Sequence, residues 1–261
     1  MAAGLEPMLA GKRALVTGAG QSVGEAIARQ LAAAGCELLI NDVVAERAET
    51  VAKEIVADGG AATALPFDVT DHAAVSAAIS GADGVDILVN NAGNAGLDGF
   101  GTIAPFAQTA QSDWAPFVAV NLHGVMSCTH AVLPHMTAAR WGRIITISSD
   151  AGRTGGAGYA AYSGAKAGAA GFCRAIAREV ARFDITVNLV SLGTMRTPMT
   201  EALWSDPQAE DTRRSIMSSY LVRRPGEPDD AAWAVMMLAS PRAAWITGQT
   251  IAVNGGSSMT L

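Results

Sequence analysis

Seven short apolar runs recur along the chain, and most lead into a longer stretch with helical periodicity; no other feature constrains the fold as tightly. The runs are RALVTG (13–18), CELLIND (36–42), TALPFDV (63–69), VDILVNNAG (85–93), RIITISS (143–149), ITVNLVS (185–191) and TGQTIAVNGG (247–256). They are β-rich and uninterrupted, so each reads as a strand buried on both faces, the mark of a parallel sheet covered by helices. Periodic stretches fall between them at about 22–34, 45–58, 72–80, 114–139 and 159–182. The expected fold is α/β, a doubly wound parallel sheet with helices on both faces. With 261 residues, half hydrophobic and 16% charged, one such core accounts for the whole chain, and no repeat or low-complexity linker divides it. Residues 1–261 are therefore expected to form a single domain. Only residues 194–230 break the pattern, being rich in Pro, Arg, Asp and Ser; so long a connection is expected to be a lid, at about 194–222.

Composition removes several classes of function. A net charge of -6 offers no electrostatic footprint for nucleic acid or an anionic membrane. Cys36, Cys128 and Cys173 are odd in number and far apart, which suits buried thiols rather than a disulfide framework or a zinc site. The stretch MAAGLEPMLAGKR lacks the basic start and apolar run of a leader, and no later stretch reads as a membrane span. A soluble, cytoplasmic protein is expected. His72, His123, His130 and His135 show no metal-ligand pairing on one helix face, and no G-x-S-x-G turn accompanies them. No metal is expected.

The first run ends in TGAGQSVG (17–24), which puts Gly18, Gly20 and Gly24 at the first βα turn. In a doubly wound sheet, ligands sit beyond the C-terminal strand ends, where glycines let the backbone approach a phosphate and a helix start offers unpaired N–H groups. A Rossmann-type dinucleotide site is expected there, with Gly18, Gln21, Ser22 and Val23 facing the cofactor. Ser22 and Glu25 form S-x-x-E, a capping-box signature in which the Ser22 hydroxyl caps the helix and its N–H stays free for phosphate. Asp42 ends the second strand 24 positions after Gly18, where a carboxylate accepts hydrogen bonds from an adenosine ribose and repels a 2′-phosphate. Val43 and Val44 follow with no Arg or Lys beside them, so NAD is expected ahead of NADP.

GYAAYSGAK places Tyr162 and Lys166 at i and i+4, on one face of a helix that starts after the glycine-rich loop 152–158. A neighbouring cation favours phenolate, and lowering a phenol from its usual value near 10 by three units takes roughly 4 kcal/mol. The expected product is a tyrosine that exchanges protons near neutrality. Alone the pair is common on helices. Ser149 at the end of RIITISS, with Asn90, Asn91 and Gly93 in NNAG, brings it to the same sheet edge as the nucleotide turn.

These motifs, taken in order, resemble the short-chain dehydrogenase/reductase family over essentially the whole chain: Thr17 to Gly24, Asp68 in FDV, NNAG at 90–93, Asn121 in VNLHG, Ser149, YSGAK at 162–166, LGTMRT at 192–197 and ITGQTIAVNGG. The resemblance implies that Tyr162 donates a proton to a carbonyl oxygen or takes one from an alcohol, while hydride passes to or from a nicotinamide. It implies that Lys166 depresses the Tyr162 pKa and holds the nicotinamide ribose, that Ser149 bonds the substrate oxygen, and that Asn121 holds a water behind Lys166. It assigns Asp68, with Val69, to the adenine, Asn91 to the adenosine side, and Met195 and Thr197 to the carboxamide. A homotetramer is implied as well. Three positions depart from the family pattern: Ser22 and Asn254 stand where glycine and aspartate are usual, and Leu192 where proline precedes Gly193.

Three function classes stay in view: an active NAD-linked dehydrogenase, a catalytically idle dinucleotide-binding protein acting through a partner, and a nucleotide-sugar epimerase or dehydratase. The intact set Asn121, Ser149, Tyr162 and Lys166 argues against the second. The third calls for T-G-x-x-G-x-x-G and a separate substrate domain, both absent from the sequence. The substrate pocket is expected from residues 94–106, 150–159 and 194–221, with Phe100, Phe106, Met195, Met199, Leu203 and Trp204 giving an apolar lining. Such a lining suits an alicyclic or steroid-like alcohol. Arg140, Arg143, Arg153, Arg196, Arg213 and Arg214 are candidates for the phosphates of an acyl thioester, and a 3-oxoacyl or 3-hydroxyacyl thioester is the preferred expectation.

Overall fold

Successive side chains of a strand point to opposite faces, and here both faces are apolar. Ala14, Val16, Leu38, Ile40, Ile87, Val89, Ile145 and Ile147 enter one buried cluster, while residues that alternate with them, Leu15, Leu39, Leu88 and Ile144, enter the other. The computed structural model describes residues 8–94 and 101–259. Its strands are β1 (Arg13–Val16), β2 (Glu37–Ile40), β3 (Ala61–Ala64), β4 (Ile87–Asn90), β5 (Gly142–Ser149), β6 (Ile185–Leu192) and β7 (Thr250–Val253). All neighbours pair in parallel, in the order β3-β2-β1-β4-β5-β6-β7. The chain reverses direction of travel across the sheet between β1 and β4, which opens a crevice beyond their C-terminal ends.

Helices α1 (Ser22–Ala33), α2 (Ala45–Ala57), α3 (His72–Ser80), α4 (Gln111–Val118), α5 (Val125–Ala139), α6 (Ala151–Thr154), α7 (Ala160–Val180), α8 (Glu201–Ser205), α9 (Glu210–Ser218) and α10 (Pro228–Ala239) complete the fold. Ile27 and Leu31 of α1, Val51 and Ile55 of α2, and Val235 and Leu238 of α10 bury one stripe each on the first face. Val75, Val132, Met136, Cys173 and Ala177 of α3, α5 and α7 do so on the other. Each fully buried Ile, Leu or Val contributes roughly 1.5–3 kcal/mol. Cys36, Cys128 and Cys173 are free and buried, their thiols pushed up to about 12, 12 and 11.

The structure departs from the sequence expectation in four places. The run 63–69 is a strand only as far as Ala64, with one further ladder bond from the Leu65 N–H to the Ile40 carbonyl at 2.8 Å; Pro66 has no N–H to donate. The helix expected from Trp114 starts at Gln111 and is wound as a π turn at Ala119–Gly124, between α4 and α5. Residues 194–230 are not irregular but contain α8, α9 and the start of α10. Finally, Gln111–Ala139 is long and apolar enough, by length and composition, to cross a membrane. Its α5 portion, however, buries Val125, Cys128, Val132 and Met136 against the sheet.

Candidate active site

The glycines of the first βα turn are there for close approach. Gly18 takes a φ of 60°, and a β-carbon on it would stand 3.0 Å from the Ala92 Cα. On Gly20 it would stand 2.7 Å from Asp42 Oδ2, and on Gly24 it would run into the Gly18 carbonyl oxygen. Ser22 also lies in the left-handed region, with a φ of 57°, which explains why glycine suits this position. The expected capping box does not form: Gln21 is the N-cap residue, Ser22 is already the first helical residue, and Glu25 instead pairs with Arg29 at 2.9 Å. Gln21, Ser22, Val23 and Gly24 line a cavity of about 1090 Å³ at the head of α1, where first-turn N–H groups lack helical acceptors.

Asp42 reaches the same cavity with both carboxylate oxygens engaged by backbone N–H groups. Its Oδ2 accepts from the Gly20 N–H at 3.2 Å and its Oδ1 from the Val44 N–H at 3.0 Å. The structure adds a cation that adjacency in sequence hides: Arg47, in the first turn of α2, lies against Gly20 and lines the cavity beside Asp42. Asp68 and Val69 line it too; Asp68 Oδ1 accepts from the Thr70 N–H and hydroxyl, both at 2.8 Å. The Asn91 amide is spent on the turn itself, donating to the Thr17 carbonyl at 2.9 Å and the Gly18 carbonyl at 3.0 Å. Asn91 thus shapes the turn with its side chain.

Ser149, Tyr162 and Lys166 converge on the floor of the cavity. Ser149 ends β5, and its Oγ accepts from the Ala151 N–H at 3.2 Å. Lys166 is buried and donates to the Ile147 carbonyl at 2.8 Å, its Nζ 5.7 Å from the centre of the Tyr162 ring. Burial pulls its pKa down to about 8. The expected lowering of Tyr162 is not found: burial raises the phenol, opposed by a hydrogen bond with Ser149. Phe117 and Tyr159 supply part of that apolar surround, at ring distances of 5.9 and 6.5 Å. Asn121 sits behind the cavity in the π turn, fully buried. Its Nδ2 donates to the Asn94 carbonyl at 2.6 Å and the Phe117 carbonyl at 2.9 Å, while its Oδ1 has no partner.

Met195 and Thr197 line the cavity at its outer side with Met199, Leu203, Ile216 and Tyr220. Tyr220, which no sequence motif marks, ties the segment 194–222 back to its own start: its hydroxyl accepts from the Thr194 N–H at 2.6 Å and donates to the Thr194 Oγ1 at 3.0 Å. Phe106 stacks on Trp114 at 4.9 Å, and Trp204 donates to Thr200 Oγ1 at 3.2 Å; neither is part of the lining. Phe100 lies outside the described residues. The six candidate arginines do not line the cavity. Arg143 is buried at the opposite end of the sheet on the Gly142 and Asp184 carbonyls, Arg140 donates to the Arg182 carbonyl, and Arg153, Arg196, Arg213 and Arg214 pair with nearby carboxylates. Leu192 completes β6, and its carbonyl accepts from the Asp150 N–H at 3.0 Å.

A seven-stranded parallel sheet whose switch-point cavity holds a glycine turn, a serine and a Tyr-Lys pair defines a nucleotide-dependent oxidoreductase. The chain belongs to the short-chain dehydrogenase/reductase family, whose members bind a nicotinamide dinucleotide and act on CH–OH groups. A family profile described as enoyl-(acyl carrier protein) reductase matches residues 18–258. Nodulation protein G of Rhizobium sp. (strain N33) is 40% identical over 96% of this chain and 98% of its own. The 3-oxoacyl-[acyl-carrier-protein] reductase of Vibrio cholerae is 38% identical over 96% of this chain and 99% of its own. Among solved structures, a gluconate 5-dehydrogenase from Burkholderia cenocepacia, in complex with NADP and tartrate, superposes with a TM-score of 0.89 at 33% identity, covering 98% of both chains.

Proposed function

We propose that the protein is an NAD-linked dehydrogenase/reductase that interconverts a secondary alcohol and its ketone, with a 3-oxoacyl or 3-hydroxyacyl thioester as substrate. The observation that carries this reading is the meeting of Ser149, Tyr162 and Lys166 in one cavity with the phosphate turn and Asp42. The turn fits a dinucleotide, because Gly18, Gly20 and Gly24 let it close tightly on Ala92, Asp42 and its own backbone, with the N–H groups at the head of α1 facing the cavity. A bound nicotinamide supplies or accepts the hydride. Gly18 and the first-turn N–H groups of Gln21, Ser22 and Val23 face its phosphates, Asp42 its adenosine ribose, Asp68 and Val69 its adenine, Asn91 its adenosine side through the shape of the turn, and Met195 and Thr197 its carboxamide.

The chemistry assigned to the chain's own groups is a proton transfer. Ser149 donates a hydrogen bond to the substrate oxygen, and Tyr162 gives that oxygen its proton in reduction or takes it in oxidation. Lys166 holds the nicotinamide ribose and refills Tyr162, and the unpartnered Asn121 Oδ1 holds the water that connects Lys166 to solvent. The segment 194–222 acts as the lid of a one-domain enzyme.

Substrate choice rests on the lining. Met199, Leu203, Ile216 and Tyr220 make the outer wall apolar, and among the described residues the cavity's cations are Lys166 on the floor and Arg47 at the adenosine end. A polyhydroxy acid such as gluconate needs a cation for its carboxylate, so the wall favours an uncharged reacting end. The 3-oxoacyl reductase relatives favour a thioester; an alicyclic alcohol fits the same wall. Exposed Trp233 and Trp245, the latter 99% exposed, support assembly with further copies into the homotetramer. The test is a parallel fluorescence titration with NADH and NADPH, followed by assays with acetoacetyl-coenzyme A and cyclohexanol. Tighter NADH binding and thioester turnover support the reading. Binding of neither nucleotide defeats it in favour of an idle scaffold.

A further inference from the structure

The residue after Ser149 carries a carboxylate that takes no part in the chemistry above, yet it has more partners than any other acid near the cavity. Asp150 Oδ1 accepts from the Ser191 hydroxyl at 2.9 Å and pairs with Arg153 at 3.1 Å. Its Oδ2 accepts from the Asn254 amide at 2.6 Å, the Ser258 hydroxyl at 2.8 Å and the Ser257 hydroxyl at 3.1 Å. These partners come from β6, from α6 and from the segment after β7, so one carboxylate joins three parts of the chain around the end of β5.

Its backbone is tied just as closely. The Asp150 N–H donates to the Leu192 carbonyl at 3.0 Å, and its carbonyl accepts from the Arg153 and Thr154 N–H groups, both at 2.9 Å. This fixes the turn in which the Ala151 N–H donates to Ser149 Oγ. It also seats α6 against Lys166, because a β-carbon on Gly152 would stand 2.7 Å from the Lys166 Cβ. The hydrogen bonds outweigh burial and hold Asp150 below its usual pKa, so the carboxylate stays charged at neutral pH.

Asn254 then has a physical reason. Its Nδ2 donates to Asp150 and lies 3.0 Å from both the Ser258 carbonyl and hydroxyl, while its Oδ1 accepts from the Gly256 N–H at 3.0 Å. An aspartate at 254 would bring a second carboxylate to within 2.6 Å of the first, and like charges so close cannot both stay ionised. The junction holds one carboxylate and one carboxamide.

We propose that Asp150 is a positioning residue for Ser149 and Lys166, acting only as half of a carboxylate–carboxamide pair with Asn254. The proposal rests on the assignment of Ser149 to the substrate oxygen. The experiment compares Asp150→Asn, Asn254→Asp and the double exchange, in which the pair is restored with its ends reversed. Acetoacetyl-coenzyme A reduction gives kcat and KM, NADH fluorescence gives cofactor affinity, and hydrogen exchange reports the amides of residues 150–154. Each single variant is expected to lose about tenfold in kcat, with a smaller loss of NADH affinity through Lys166, since small misplacements near a reacting group are costly. Both are expected to speed exchange in 150–154. The double variant is expected to regain kcat to within about threefold and to restore exchange protection, the non-additivity of groups in contact.

Singles with wild-type kcat and exchange, or a double variant whose losses simply add, overturn the proposal. Where a single variant does not fold, the double variant decides: recovery supports the pair, and failure overturns it. A wild-type protein that binds NADH but turns over neither the thioester nor cyclohexanol defeats the functional reading alone. The exchange comparison still decides whether the pair holds the turn.

Discussion

Asn121 Oδ1 and Lys166 Nζ meet beside Gly93: a β-carbon there would stand 3.2 Å from the first and 3.4 Å from the second. One is a buried acceptor with no partner, the other a buried amine with a pKa near 8. Burial disfavours the ammonium, so Lys166 changes charge within the working range of the enzyme rather than at its ordinary 10.5.

That gives the proposed proton relay a pH dependence. Tyr162, raised by burial, stays protonated at neutrality and is ready to donate. Reduction is expected to be flat below about pH 8 and to fall above it, as Lys166 loses the proton with which it refills Tyr162. Alcohol oxidation is expected to rise through the same range. Stability follows the opposite limb from a salt-bridged lysine: the folded pKa is lowered, so the unfolded chain binds more protons between about 8 and 10.5, and stability increases as pH rises through that window. Initial rates and thermal melts from pH 6 to 10 check both; a reduction rate insensitive to pH 8–9 removes Lys166 from the relay.

Ser22 pays for its place in the phosphate turn. A side chain in the left-handed region costs about 1–2 kcal/mol relative to glycine, partly offset by the greater unfolded-state entropy of glycine. Ser22→Gly is expected to raise stability by up to about 1 kcal/mol, or roughly 2–4 °C in Tm for a chain of this size, with NADH affinity unchanged or improved. Ser22→Val, β-branched at a positive φ, is expected to lower it. Calorimetry of the pair settles the sign. A Ser22→Gly protein that melts below wild type would show the hydroxyl has a role that outweighs the strain.

Gly24 leaves no such latitude. Its missing β-carbon is replaced in space by the Gly18 carbonyl oxygen and the Asn91 amide, the same groups that hold the turn closed. Gly24→Ala therefore has to push α1 off the turn or displace the Asn91 amide, and a loss of at least about 2 kcal/mol is expected, in the range of overpacked buried sites. NADH binding, read by fluorescence, is expected to fall in step.

The sheet was legible because each strand is apolar toward both faces, as Leu15 between Ala14 and Val16 illustrates, and because the site motifs sit at strand ends where the fold must put them. What escaped notice depended on information no short window carries. TGAGQSVG matches both a capping box and a left-handed turn, and only the φ of Ser22 separates them. Arg47 stands five residues beyond Asp42, yet one turn of α2 folds it back over Gly20. The pKa of Tyr162 depends on Phe117 and Tyr159, so an i, i+4 lysine could not fix its sign. The helix α9 has charged Glu210, Asp211, Arg213 and Arg214 in its first turns and no fully buried residue, so few apolar residues mark it in the sequence.

Arg47 and Asp42 make opposing claims on the cofactor. A carboxylate at the ribose repels a 2′-phosphate, whereas an exposed guanidinium at the same end of the cavity attracts one. With Asp42 bonded to the Gly20 and Val44 N–H groups, its charge is fixed in place, and NADH is expected to bind more tightly than NADPH to the wild-type chain. Asp42→Ala removes the repulsion and leaves Arg47, so NADPH affinity is expected to rise by about tenfold or more, equivalent to one charged contact of 1.5–3 kcal/mol. Adding Arg47→Ala should cancel most of that gain while leaving NADH binding near the Asp42→Ala level. Titrating both nucleotides against wild type and the two variants separates the claims. A wild-type preference for NADPH that Arg47→Ala abolishes would assign the adenosine end to the arginine, and with it the cofactor to NADP.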